Sequence, residues 1–151
     1  MRHRTWSAIA ALLAVGLLST ACAPGPEVMA SEDTGRDVRV EPVAGTDLSR
    51  VVLSQAAVDR LGIVTAPVRQ APAPGHGAEK AVAFSAVVYD ADGKSWVYVN
   101  SGPRTYVREP VTLERVDGDV AYLRDGPKAG TAVVTVGVAE LFGAEYGVGG
   151  E

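Results

Sequence analysis

The stretch A-V-V-Y-D-A-D-G-K-S-W-V-Y-V-N, from Ala86 to Asn100, decides the fold class. Two runs rich in Val, Tyr and Trp flank Asp92-Gly93, a dipeptide that supplies the positive φ angles of a type I′ turn. A two-residue Asp92-Gly93 loop predicts that Ala91 faces Lys94, Asp90 faces Ser95, Tyr89 faces Trp96, Val88 faces Val97 and Val87 faces Tyr98. Side chains alternate along a strand. That register therefore puts Val87, Tyr89, Trp96 and Tyr98 on one face, and Ala86, Val88, Val97 and Val99 on the other. Both faces are largely apolar, so the hairpin belongs inside a larger sheet packed on both sides, or packed on one and docked to a partner on the other. Tyr89, Trp96 and Tyr98 mark a face that is either core or docking surface, core packing being the ordinary use of aromatic side chains.

Outward from the hairpin, the chain stays strand-like from Ala81 almost to its end, punctuated by Asp92-Gly93, Asp117-Gly118 and Asp125-Gly126. Thr105 to Val116 alternates with Val107, Val111 and Leu113 on one side, and Pro110 predicts an edge or a bulge. Val120 to Arg124 is expected to pair back across the Asp117-Gly118 turn, and Thr131 to Val136 is a further strand. Ala139-Glu140-Leu141-Phe142 closes the domain as a short helical turn, with Leu141 and Phe142 on the core. Upstream, Val51-Val52-Leu53 is strand-like and Ser54 is a suitable N-cap for a helix from Gln55 to Leu61, ended by Gly62. Ala57, Val58 and Leu61 share one face of that helix. Ile63 to Val68 is a second strand. Gln70 to Glu79 contains Pro72, Pro74, Gly75 and Gly77 and is expected to be a loop, with His76 as a solvated member of it. Together these elements predict a mainly β protein: a small antiparallel roll or barrel-like domain of about six to eight strands with one or two short helices.

The chain has 151 residues, 47% hydrophobic and 21% charged, enough for one modest core. Its start is a targeting segment. Arg2, His3 and Arg4 form a positive region, and Trp6 to Leu18 is apolar but shorter than the ~20 residues of a transmembrane helix. Leu18-Ser19-Thr20-Ala21-Cys22 resembles the lipobox of bacterial lipoproteins, in which small residues precede a Cys that is diacylated and becomes the new N-terminus; Ser19 departs from the common Leu. Cys22 is the chain's single cysteine and offers no internal disulfide. The expected organisation is a signal peptide over 1–21, a flexible Pro- and Gly-bearing tether over 22–46, a β domain over 47–148 and a frayed tail over 149–151. The alternative for Cys22 is an ordinary secretory peptide that leaves a free thiol; export is expected in both cases. Loss of Arg2 and Arg4 from 14 basic residues leaves 12 against 18 acidic ones, a net charge of −6. That sign, with dispersed Arg, speaks against nucleic-acid binding.

Catalytic constellations are hard to assemble from this composition. After the targeting segment the chain holds one His and one Cys, so neither a Cys-His nor a Ser-His-acid set is available. Asp90, Asp92 and Gly93 echo a calcium loop, but the twelfth residue from Asp90 is Ser101 and not Glu. Asp117 and Asp119 flank a turn glycine in a solvated hairpin. No catalytic, metal or cofactor site is expected.

Two stretches resemble the periplasmic adaptor subunits, or membrane fusion proteins, of RND-type efflux pumps. One is Val52-Leu53-Ser54-Gln55-Ala56-Ala57-Val58-Asp59-Arg60-Leu61-Gly62-Ile63-Val64-Thr65-Ala66-Pro67-Val68. The other runs from Ala86 to Val99, through Arg104-Thr105-Tyr106-Val107-Arg108-Glu109-Pro110-Val111, Gly118-Asp119, Gly126, Gly130 and Val133-Val134, to Ala139-Glu140-Leu141. The resemblance implies the membrane-proximal domain of such adaptors, which is assembled from both ends of their chain. The barrel, lipoyl and helical-hairpin modules that separate those ends are replaced here by Gln70 to Lys80. What it implies is a non-enzymatic accessory protein, lipid-anchored at the cell envelope on the outer face of the cytoplasmic membrane or in the periplasm, that docks on a membrane transporter and assists transport. The alternative is an extracytoplasmic lipoprotein that binds a small-molecule ligand or a metal.

Overall fold

The computed structural model describes residues 37–73 and 77–147. The first element, β1 (Val38–Pro42), pairs antiparallel with β2 (Ser49–Leu53), Val40 opposite Val51. This strand lies inside the segment expected to be tether. Pro24, Pro26 and Gly35 all precede it, and Val38, alternating with Arg39, is enough to pack on the core beside β2. The helix α1 (Gln55–Leu61) sits where its caps predict. Ser54 is extended and its hydroxyl accepts from the Ala57 N–H at 3.0 Å, while Gly62 ends the helix in the left-handed region at φ 62°.

Then β3 (Val64–Pro67), the single residue Val68 and β4 (Arg69–Ala73) follow. The loop expected over Gln70 to Glu79 is instead mostly a hairpin, in which β4 pairs with β5 (Gly77–Ala83), Arg69 opposite Ala81 and Pro72 opposite Ala78. A proline marked this stretch as loop, yet β4 ends the strand path, where a missing N–H is tolerated. His76, with Pro74 and Gly75, lies outside the described residues.

A 3-10 turn (Phe84–Ala86) leads into β6 (Val88–Tyr89) and β7 (Ser95–Gly102), then β8 (Thr105–Asp117), β9 (Val120–Asp125), β10 (Ala132–Val136) and α2 (Val138–Glu145). Strands run in the order β3-β10-β7-β8-β9-β5-β4, all neighbours antiparallel, with β1 and β2 branching from β8 and β6 from β7. The two ends of that path, β3 and β4, are joined through Val68, so the sheet curls into a barrel-like form. The long β8 makes the opposite bend. It pairs with β2 over Thr105 to Val107 and with β9 from Thr112 to Asp117, with register shifts at Thr112/Leu113 and Leu113/Arg115. Pro110 falls between those two pairings, where no strand calls for its N–H.

The hairpin itself differs from its expected register. Val88 faces Trp96 and Tyr89 faces Ser95, one residue away from a two-residue loop. The cause is Asp90, whose carboxylate accepts from the N–H groups of Asp92 at 3.0 Å and Lys94 at 2.9 Å. Its own N–H donates to the Lys94 carbonyl. Only Gly93 of the loop has positive φ, at 77°. The loop is thus Ala91-Asp92-Gly93, the three-residue class with a left-handed glycine. A one-residue slip exchanges faces. Val88, Trp96 and Tyr98 therefore share one face, and Tyr89, Val97 and Val99 the other.

Those faces feed two cores. One, beneath α1 and α2, gathers Val51, Leu53, Ala57, Tyr98, Tyr106, Val134, Val138 and Leu141. The other, within the curl, gathers Val68, Val82, Ala86, Val97, Val111, Ala121, Leu123 and Val133. No helix among the described residues is long and apolar enough to cross a membrane.

Candidate functional site

The corrected register brings together a cluster on the helix-covered face. Arg108 of β8 stands opposite Tyr98 of β7, and both point under α2. The Arg108 side chain is only 6% exposed and the Glu145 side chain 4%. Arg108 Nε lies 3.0 Å from Glu145 Oε1 and 2.8 Å from Oε2, and the Tyr98 hydroxyl donates to Oε2 at 2.6 Å. Burial, then the hydrogen bond to Glu145 and its negative charge, push the Tyr98 hydroxyl far above the ordinary phenol range, so it stays a donor at every working pH.

Rings surround the guanidinium. Its central carbon is 4.8 Å from the Trp96 ring centroid, 5.2 Å from Tyr146 and 5.9 Å from Phe142. Phe142 and Tyr146 themselves pack at 4.8 Å between centroids. Arg108 Nη1 is buried with no hydrogen-bond partner among the described residues. The carboxylate therefore engages the guanidinium at Nε, with one end of the fork left unpaired.

Trp96 is held from its other side. Its indole N–H donates to Asp90 Oδ2 at 2.9 Å. Desolvation is the largest single influence on the Asp90 carboxyl and raises it. The Trp96 N–H, the Lys94 and Asp92 backbone N–H groups and the Lys94 charge together outweigh it, and Asp90 titrates below the usual carboxylate range. Asp90 is thus a turn residue and an anchor for Trp96.

The three aromatic residues named for a core or docking face do not share one. Tyr98 is core, Trp96 is partly buried at the rim of the Arg108 cluster, and Tyr89 lies on the opposite face, 48% exposed. Cys22 lies outside the described residues. Arg108 and Glu145 were not singled out by sequence reasoning, because Val107, Val111 and Leu113 drew attention to the other face of β8. A charged residue following Tyr106 by two was the available signal.

Open hollows lie elsewhere among the described residues. An open hollow of about 510 Å³ is lined by Gln70, Glu79, Lys80, Glu114 and Arg124, and its charges are largely paired. Arg124 Nε meets Glu114 at 2.6 Å, Arg115 meets Glu79, and Lys80 donates to the Gly126 carbonyl at 2.7 Å. A second open hollow of about 490 Å³ is bordered by Lys94, Trp96, Pro110 and Leu113. No group of three or more His, Cys, Asp or Glu side chains suited to a metal ion occurs among the described residues. At the sheet's end, Val64 of β3 and Val136 of β10 face each other and are each 51% exposed.

No protein-family model, curated protein or solved structure matches the chain.

Proposed function

We infer that this protein is an exported, lipid-anchored accessory subunit, without enzymatic activity of its own, whose β domain docks on a membrane transporter and assists transport. The observation that carries this reading is how the two adaptor-like stretches meet. The first stretch supplies the end of β2, then α1 and β3; Val52 of β2 pairs with Thr105 of β8, and β3 pairs with β10. The short segment between them closes the sheet as β4 and β5. Two stretches separated by residues 69–85 thus share one sheet with no further module between them.

The surface is compatible with docking by contact. The charged side chains of the hollow beside β5 are largely paired, whereas Val64 and Val136 place two branched apolar side chains together on an exposed sheet end. Backbone pairing is a poor route there. The Val68 N–H and C=O both bond to the segment preceding β10, so alternation turns Thr65 and Pro67 outward, and Pro67 offers no donor.

The test is photo-crosslinking in cells, with a benzophenone amino acid at Val136 of the full chain. Recovery of an integral membrane transporter, lost with Val64→Asp and reduced with Cys22→Ala, is the expected result. Crosslinking that recovers no transporter from Val136, Val64 or Tyr89 would overturn the reading.

A further inference from the structure

Strand β1 ends one branch of the sheet, and its outer side can be read residue by residue. Among the described residues it pairs with β2 alone. The Ser54 N–H donates to the Asp37 carbonyl and the Val43 N–H to the Leu48 carbonyl, both in the register that sets Val40 opposite Val51. Hydrogen-bonded pairs alternate along an antiparallel ladder, so Asp37, Arg39, Glu41 and Val43 turn their backbone groups to β2. Val38 and Val40 therefore turn theirs outward, each with an N–H and a C=O, and Pro42 adds a carbonyl. The other short edges are poorer templates: β6 has two residues and β4 carries Pro72 inside the strand.

The side chains of β1 are complementary to themselves. Arg39 and Glu41, of opposite sign, stand on either side of Val40, which is 43% exposed. Arg39 lies 3.7 Å from Glu41, and Glu41 lies 3.9 Å from Arg50 across the ladder. Two copies of β1 laid antiparallel can bond only where outward groups of Val38, Val40 and Pro42 meet. Centred on Arg39, such a pairing sets Arg39 against Arg39; centred on Glu41, it sets Glu41 against Glu41. Centred on Val40, it sets Arg39 against the second copy's Glu41 on both sides of the centre. The Val40 N–H groups then donate to each other's carbonyls, and the Val38 N–H groups to the Pro42 carbonyls.

We propose that β1 is a self-pairing edge, on which a second copy of this chain lays its own β1 antiparallel across a two-fold axis at Val40, so that the two sheets join. Charge selects the register. The row Arg50, Glu41 and the second copy's Arg39 alternates in sign across the junction, and Val40 covers Val40. Two five-residue strands make a smaller interface than the ~1,600 Å² of a standard one. The dimer is accordingly weak and concentration-dependent, and it forms whether or not a transporter is the other partner.

Cysteine crosslinking of the full chain in cells tests it. Hydrogen-bonded partners in an antiparallel pair lie about 5.5 Å apart at Cα, within disulfide reach. Under copper-phenanthroline, Val40→Cys should give a disulfide-linked dimer of this chain about tenfold or more faster than Val116→Cys, a β8 position 45% exposed. The unaltered chain sets the background from Cys22. Added to Val40→Cys, either Arg39→Glu or Glu41→Arg should cut the yield by about tenfold, because both facing pairs become like-charged. Co-expressing the two reversals should restore the yield as a mixed dimer, since each supplies the charges the other lacks. Equal rates at Val40 and Val116 would overturn the proposal, as would a Val40 crosslink that is unmoved by the reversals or that captures only a different protein. Should a reversal fail to fold, the comparison of Val40 with Val116 decides by itself.

Discussion

Arg108 owes its position to register, and its energetics to what surrounds it. A guanidinium at this depth is tolerable because a carboxylate and three rings meet it, yet such a pair need not exceed an apolar replacement in stability. Removing one partner is the severe change. Arg108→Met should cost roughly 3–5 kcal/mol in denaturant unfolding, because Glu145 is left buried against Tyr98 alone. Arg108→Met combined with Glu145→Gln should recover most of that loss, since no charge then remains buried. Equal stability of Arg108→Met and the unaltered chain would show the pair to be hydrated in solution. Little of this was legible beforehand. The aromatic character of Trp96 and Tyr98 is plain in the sequence, but their meeting with Arg108 and Glu145 depends on strand register and on a helix whose final residue lies 37 residues beyond Arg108.

Elements were legible where a side chain makes a local hydrogen bond, and less so where pairing depends on distant strands. Helix α1 follows from Ser54 and Gly62 because both act within a few residues of themselves. The hairpin at Ala86 to Asn100 was legible as a hairpin, but its loop length was not: Asp90 captures two backbone N–H groups and adds Ala91 to the turn. Strands β1 and β4 were hidden because each borrows its stability from a neighbour, β2 or β5. The two local anchors make an acid-pH prediction. Asp37 is held below the ordinary carboxylate range first by the Ser54 hydroxyl and then by Arg60, and Asp90 by Trp96 and its loop N–H groups against desolvation. A carboxyl lowered in the folded chain stabilises fully above its unfolded value of ~3.9, and that contribution disappears as pH falls through the folded value. Asp37→Ala and Asp90→Ala should therefore each lower stability at neutral pH, with the gap to the unaltered protein narrowing below about pH 4 in unfolding curves. A gap that persists unchanged in acid would assign the effect to shape and not to charge.

At the level of the whole molecule, residues of the same strands serve opposite faces. Val97 and Tyr98 of β7 belong to different cores, as do Val133 and Val134 of β10 and Val111 and Tyr106 of β8. Apolarity on both sides of the hairpin was the sequence's clearest indication of this, and it survives the shift in register because a slip exchanges faces without making either polar. The mainly β, barrel-like class follows from it; the closure of the curl through Val68 does not, since it requires β3 and β4 to find partners at opposite ends of the path. Sharing strands has an energetic consequence. Neither core can empty without pulling β7, β8 and β10 out of the other, so the domain should unfold in one transition even though its two apolar clusters are separate. Leu53→Ala, beneath the helices, and Leu123→Ala, within the curl, remove side chains that are 2% and 3% exposed. Each should cost about 2–5 kcal/mol. In both variants the loss should shift circular dichroism and Trp96-centred fluorescence to the same new midpoint, with an unchanged denaturant slope. Two resolved transitions in either variant would mean that the helix-covered face and the curl fold as independent units, and that the shared strands do not couple them.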